Sequence, residues 1–147
     1  MTVIFSKKCE LALQSVLFLS SLDKNTMKSA KEISEEINVP KEFVSKVLQT
    51  LTLNGIVASR KGKNGGFFLG KPANQIKLIE IVLAIDGLEI FHNCVLGFPG
   101  CSPDNPCPVH EKWGKLRDET YRMLSESNLE EIREVTIKKI KNLNTKI

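Results

Sequence analysis

The stretch Ser29-Ala30-Lys31-Glu32-Ile33-Ser34-Glu35-Glu36-Ile37-Asn38-Val39-Pro40-Lys41-Glu42-Phe43-Val44-Ser45-Lys46-Val47-Leu48-Gln49-Thr50-Leu51-Thr52-Leu53-Asn54-Gly55 decides the fold. Ser29 with Glu32 three residues on forms a capping box, so a helix should open there and run over 30–37. Asn38-Val39-Pro40 reads as a turn, and Pro40 suits the first turn of a second helix over 41–53. Asn54-Gly55 ends it, because glycine accepts left-handed backbone at a helix terminus. Two helices joined by a tight turn make the helix-turn-helix pattern.

The next residues extend the pattern. Ile56-Val57-Ala58-Ser59-Arg60 alternates like a strand, Lys61-Gly62-Lys63-Asn64-Gly65-Gly66 is a basic turn, and Phe67-Phe68-Leu69 is a second strand. A hairpin directly after the second helix is a wing. Upstream, Ser6 can cap a helix running to about residue 22, with Leu11, Leu13, Val16, Leu17 and Leu19 as its apolar positions. Downstream, a helix over 76–85 is stopped by Asp86-Gly87. A long helix over 109–125 carries Trp113, Leu116, Thr120, Met123 and Leu124 at helical spacing, and a last helix covers 129–141 before a frayed tail over 141–147.

The pattern points to a reader of nucleic acid. Residues 1–75 hold 11 Lys/Arg against 6 Asp/Glu, whereas residues 76–147 hold 10 against 11, so the basic excess sits in the half with the helix pair and wing. Such a helix enters the major groove by its N-terminal residues. Lys41, Glu42, Ser45, Lys46 and Gln49 are its polar positions, and Phe43, Val47, Leu48 and Leu51 should face the core. Ser45 and Gln49 are the candidate base contacts, and Lys46 contacts base or phosphate. Arg60, Lys61 and Lys63 on the wing should reach phosphate or the minor groove.

A second feature stands apart. Cys94, Cys101, Cys107 and His110 fall within seventeen residues, interleaved with Gly97, Pro99, Gly100, Pro103, Pro106 and Pro108. That Pro and Gly content excludes regular helix or strand, leaving a loop that gathers soft ligands for a metal or an iron–sulfur cluster. Zinc would accept three Cys and one His, but the short Cys-x2-4-Cys knuckle usual for zinc is absent. Bare redox thiols are a further alternative. Cys9, inside the first helix, reads as a small buried residue, and His92 as a loop residue.

Bulk properties narrow the class. A chain of 147 residues, 41% hydrophobic and 26% charged, is ordinary for one globular domain with an extension. No apolar run is long enough to cross a membrane, and Met1 to Lys8 lacks the order of a secretory leader, so a cytoplasmic setting without membrane contact is expected. Thiols are reduced there, which favours metal binding over disulfides. No phosphate-binding glycine loop and no nucleophile–base pair with a third group is present, so an enzyme is not expected. An electron carrier built on the same loop would leave the wing without purpose.

Four segments together carry a resemblance: Ser6-Lys7-Lys8-Cys9-Glu10-Leu11-Ala12-Leu13; Ala30-Lys31-Glu32-Ile33 with Phe43 through Leu51; Asn54-Gly55-Ile56-Val57 running into the wing; and the cysteine loop. In this order they make the chain, over about residues 4–140, similar to the bacterial winged-helix iron–sulfur transcription regulators typified by IscR and NsrR. The resemblance implies a mainly α fold. A winged helix-turn-helix DNA-binding domain would span 1–86, a cysteine-rich cluster-binding loop 87–108, and a dimerisation helix with a C-terminal helix 109–147. It implies a homodimer on a palindromic operator in double-stranded DNA, with Trp113, Leu116, Thr120 and Leu124 near the dimer seam. It implies Cys94, Cys101 and Cys107 as cluster ligands. His110 as fourth ligand means a 2Fe–2S cluster, the favoured form; Glu10, supplied by the partner subunit, leaves 2Fe–2S with mixed ligation or 4Fe–4S. A cluster-free regulator controlled by cysteine thiols or by a protein partner is the alternative.

Overall fold

The computed structural model describes residues 4–145. Met1 to Val3, part of the stretch read for a leader, and Lys146 and Ile147 lie outside the described residues. Helix α1, Lys7–Ser21, opens on Ser6, whose hydroxyl accepts from the Cys9 amide at 3.0 Å. It packs against the helix pair, the wing and two of the later helices, and its Cys9, Leu11, Ala12, Val16, Phe18 and Leu19 are buried. A helix apolar on most sides is buried on most sides.

Helix α2, Ala30–Ile37, shows both halves of the capping box: the Glu32 amide donates to Ser29 Oγ and the Ser29 amide to Glu32 Oε1, each at 3.1 Å. Asn38 turns the chain in left-handed backbone, φ 60°. Helix α3, Lys41–Leu53, follows from Pro40 and closes at Gly55, φ 76°. Strands β1, Val57–Arg60, and β2, Gly66–Leu69, pair antiparallel in the register Val57 to Leu69 and Arg60 to Gly66. Lys28 exchanges two backbone bonds with Phe67, at 2.7 and 3.1 Å, which pins the wing to the start of α2. A Cβ at residue 66 would stand 2.8 Å from the Lys28 carbonyl carbon, so glycine is required by that approach.

Helix α4, Leu78–Ile85, begins two residues later than expected, after a single 3-10 turn over Ala73–Gln75, because Glu80 reaches back to accept from the Lys77 amide at 2.8 Å. A further 3-10 turn, Glu89–Phe91, leads to the cysteine loop and then to α5, His110–Glu126. Helix α6, Arg133–Thr145, begins four residues later than the sequence pattern indicates. The cause is Leu129: it is fully buried, and its amide donates to both Ala73 and Ile76 carbonyls, so 128–132 is a turn anchored on the core. Helix runs to Thr145 where fraying was expected.

Two cores result. The larger joins α1, α2, α3, the wing and Leu129; the smaller joins Cys9, Ile79, Val82 and Leu124. Each fully buried aliphatic side chain contributes about 1.5–3 kcal/mol of transfer free energy. One expectation is corrected. Phe43 does not face the core but is 55% exposed, and Val44 takes the buried position beside Val47, Leu48 and Leu51. The four buried positions recur at intervals of three and four, the spacing of one helix face, and residue 43 lies off it. Among the described residues no helix is long and apolar enough to cross a membrane.

Candidate metal centre and nucleic-acid interface

The cysteine loop is held at both ends by α5. At its start the Trp113 indole Nε1 donates to the Asn93 carbonyl at 2.9 Å and Arg117 Nη1 to the Phe91 carbonyl at 3.0 Å. Phe91 meets Tyr121 edge to face, centroids 5.3 Å apart. At its end the His110 amide, first in α5, donates to the Cys107 carbonyl at 3.1 Å. Between these ties Gly97 and Gly100 turn the chain at φ 83° and 67°, conformations that side chains disfavour.

The turns bring Cys94, Cys101 and Cys107 together, with all three Sγ atoms within 4.8 Å of one another. Cys94 Sγ lies 3.3 Å from Cys107 Sγ, and all three cysteines are free and half-buried. His110 Nδ1 stands 3.1 Å from Cys101 Sγ alone and is not in the gathered set. Burial pushes the Cys94 thiol up, but hydrogen bonds from Cys107, at Leu96 and Phe98 backbone and from Cys101 outweigh it and leave Cys94 below the usual thiol value. Cys107 is held above that value by burial and then by its bond to Cys94. Three gathered cysteine sulfurs with an adjoining imidazole are the donor set of a thiophilic metal or an iron–sulfur cluster, so these residues fit such a group. Glu10 is not in the gathered set; it sits in the first turn of α1, where its Oε1 is buried without a hydrogen-bond partner. His92 is not in the gathered set either.

The second surface is the outer face of α3 with the wing. Lys41, Lys46 and Gln49 are exposed, and Ser45 is half-buried. Arg60, Lys61 and Lys63 are exposed at the wing tip, where Gly62, φ 110°, allows the turn. The Gly65 position is equally confined: a Cβ there would overlap the Arg60 carbonyl oxygen at 1.9 Å.

On α5, Leu116 is exposed, Trp113 and Thr120 are half-buried, and Leu124 is 3% exposed, packed within the chain on Cys9, Ile79 and Val82. Tyr121 and Met123 add to the apolar surface this helix leaves open. Sequence reasoning missed Asn93, Phe91 and Arg117 as supports of the loop. The signal for them was Trp113 itself, because an indole N–H in a half-buried site usually finds an acceptor.

Known proteins resemble this chain in sequence and in fold. A helix-turn-helix transcriptional regulator of Aquifex aeolicus is 33% identical over 119 residues, 80% of this chain and 82% of that one. IscR of Photorhabdus laumondii is 33% identical over 101 residues, 69% of this chain and 61% of its own, so the match spans about three fifths of that relative. Among solved structures, CymR, the global cysteine regulator of B. subtilis, superposes with a TM-score of 0.74 at 21% identity, covering 91% of this chain and 98% of that one. T. potens IscR does so at 0.70 and 19%, covering 91% and 87%. These two share the fold. The family model for Rrf2, described as an iron-dependent transcriptional regulator, matches residues 5–134, and this chain belongs to the Rrf2 family of transcriptional regulators.

Proposed function

We propose that this protein is a homodimeric, DNA-binding, non-enzymatic regulator whose operator affinity is governed by an iron–sulfur cluster on Cys94, Cys101 and Cys107. The observation that carries the reading is the gathering of three sulfurs within 4.8 Å in a loop tied to α5 at both ends. When bound, such a cluster supplies a redox-active, chemically labile group that oxidants, nitric oxide or iron shortage remove. His110, 3.1 Å from Cys101, is the fourth ligand in this reading and favours a 2Fe–2S cluster. Glu10 of the partner subunit is the alternative ligand, and 4Fe–4S the alternative cluster; its orphaned Oε1 is the observation on that side.

Lys41, Ser45, Lys46 and Gln49 on α3 would meet the major groove, and Arg60, Lys61 and Lys63 the backbone or minor groove. The open side of α5, with Trp113, Leu116 and Thr120, would form the dimer seam, and two-fold symmetry would match a palindromic operator. In the proposed division the DNA-reading unit spans 1–86, the cluster loop 87–108 and the dimerisation part 109–147. A cytoplasmic setting keeps the thiols reduced and near DNA. Ordering the loop ties Cys94 and Cys107 to one geometry against α5, and α5 in turn carries Leu124 into the core under α1 and α4. That is a physical route from cluster to DNA-reading unit.

A second reading, control by the thiols without a cluster, draws on the 3.3 Å approach of Cys94 to Cys107 and on the fold shared with CymR. Anaerobic purification with visible and electron paramagnetic resonance spectra, and iron and sulfide counted per chain, separates the two. Charge-transfer bands with matching iron and sulfide are expected. A colourless, iron-free protein after attempted reconstitution would move the reading to the thiols.

A further inference from the structure

Helix α3 leaves Phe43 55% exposed in its first turn, while Val44, Val47, Leu48 and Leu51 fill the core face. Phe43 belongs to neither core. It is flanked by exposed Lys41 and Glu42 and stands one turn before exposed Lys46. A single exposed apolar residue is ordinary on a protein surface. This one sits on the part of the helix that reaches base edges in a helix-turn-helix reader, with exposed Lys41 and Lys46 nearby to meet phosphate. In the major groove the base edges present polar donors and acceptors with one apolar exception, the 5-methyl group of thymine.

We propose that Phe43 is a specificity-determining residue that packs on the 5-methyl group of a thymine in the operator. The inference rests on the DNA-binding function proposed for α3. It predicts sequence preference at a position where Phe43 makes no hydrogen bond at all, and it assigns to an apolar side chain a share of the readout otherwise given to Ser45 and Gln49.

The test begins by selecting binding sites for the full-length protein from a pool of random duplexes. Each thymine of the selected site is then replaced by deoxyuridine, which removes only the methyl group. Wild type should bind about fourfold more weakly at one thymine per half-site, the effect of one methyl leaving an apolar contact. Phe43→Ala should bind thymine and deoxyuridine about equally there, and Phe43→Leu should keep part of the difference. Both variants should match wild type in helix content and unfolding midpoint, since Phe43 lies outside both cores. Indifference to deoxyuridine at every thymine, or an undiminished difference in Phe43→Ala, would overturn the inference while leaving DNA binding intact. A pool that yields no duplex would overturn the DNA reading itself, and the inference with it.

Discussion

The indole N–H of Trp113 donates to the carbonyl of Asn93 at 2.9 Å, and so joins the residue before the first loop cysteine to the first turn of α5. The bond spans twenty residues and closes the loop on itself, because Cys107 is tied to the start of the same helix through His110. Trp113→Phe keeps an aromatic ring and removes the donor. A hydrogen bond of about 1 kcal/mol should then be lost from the ordered loop, and the proposed cluster should decay about fivefold faster in air, followed by its visible absorbance. Helix content should not change.

Arg133 reaches back across the molecule to α1. Its Nε donates to the Ser20 carbonyl at 3.2 Å, and Nη2 to Ser21 at 3.1 Å and Leu22 at 3.4 Å. These are carbonyls at a helix C-terminus, where a cation is favoured. Arg133→Met should lower stability by about 1.5–3 kcal/mol, read as a shifted urea midpoint with unchanged slope. Arg133→Lys should recover part of it, because one ammonium cannot span three carbonyls.

Cys9 is fully buried and its thiol is pushed up from 9.0 to about 12, by burial first and then by the Asp86 carboxylate. Its neutral form is therefore the one the fold favours. The stability this confers is fully present below pH 9 and is lost as pH rises toward about 12. At pH 8 in native, metal-free protein, alkylation followed by mass spectrometry should label Cys94, Cys101 and Cys107 and spare Cys9 until the chain unfolds. Labelling of Cys9 at the rate of the loop thiols would contradict this burial.

Lys46 and Lys63 are exposed on α3 and on the wing. Replacing Lys63 with Ala should weaken binding to every duplex similarly and reduce the salt slope of log K by about 1, the signature of a lost phosphate contact. Replacing Gln49 with Ala should instead relax preference at one base position and leave the slope unchanged, costing about 1–3 kcal/mol of discrimination. Titrations across a salt series distinguish the two behaviours.

Local chemistry made much of this molecule legible. Ser29 and Glu32, Asn54-Gly55 and the alternation after Ile56 each mark an element boundary within a few residues, and the structure places α2 and α3 at those boundaries. The loop cysteines announced themselves by composition, and the fold brings their sulfurs together. What eluded sequence reasoning depends on contacts between distant segments. The start of α6 is delayed because Leu129 is captured by Ala73 and Ile76, residues more than fifty positions earlier. Leu124 has the spacing of the open face of α5 and was expected at the dimer seam, yet it packs into the core with Cys9, Ile79 and Val82. Phe43 and Val44 are neighbours of similar hydrophobicity, and only the phase of the helix decides which is buried.

In the proposed mechanism an iron–sulfur cluster held by Cys94, Cys101 and Cys107 governs DNA binding. The most direct measurement is the affinity of cluster-loaded and cluster-free protein for one selected operator, under anaerobic conditions at one salt concentration. A switch requires a coupling of about 1–3 kcal/mol, so the two affinities should differ by roughly 5- to 150-fold. Equal affinities from the two forms would contradict the account.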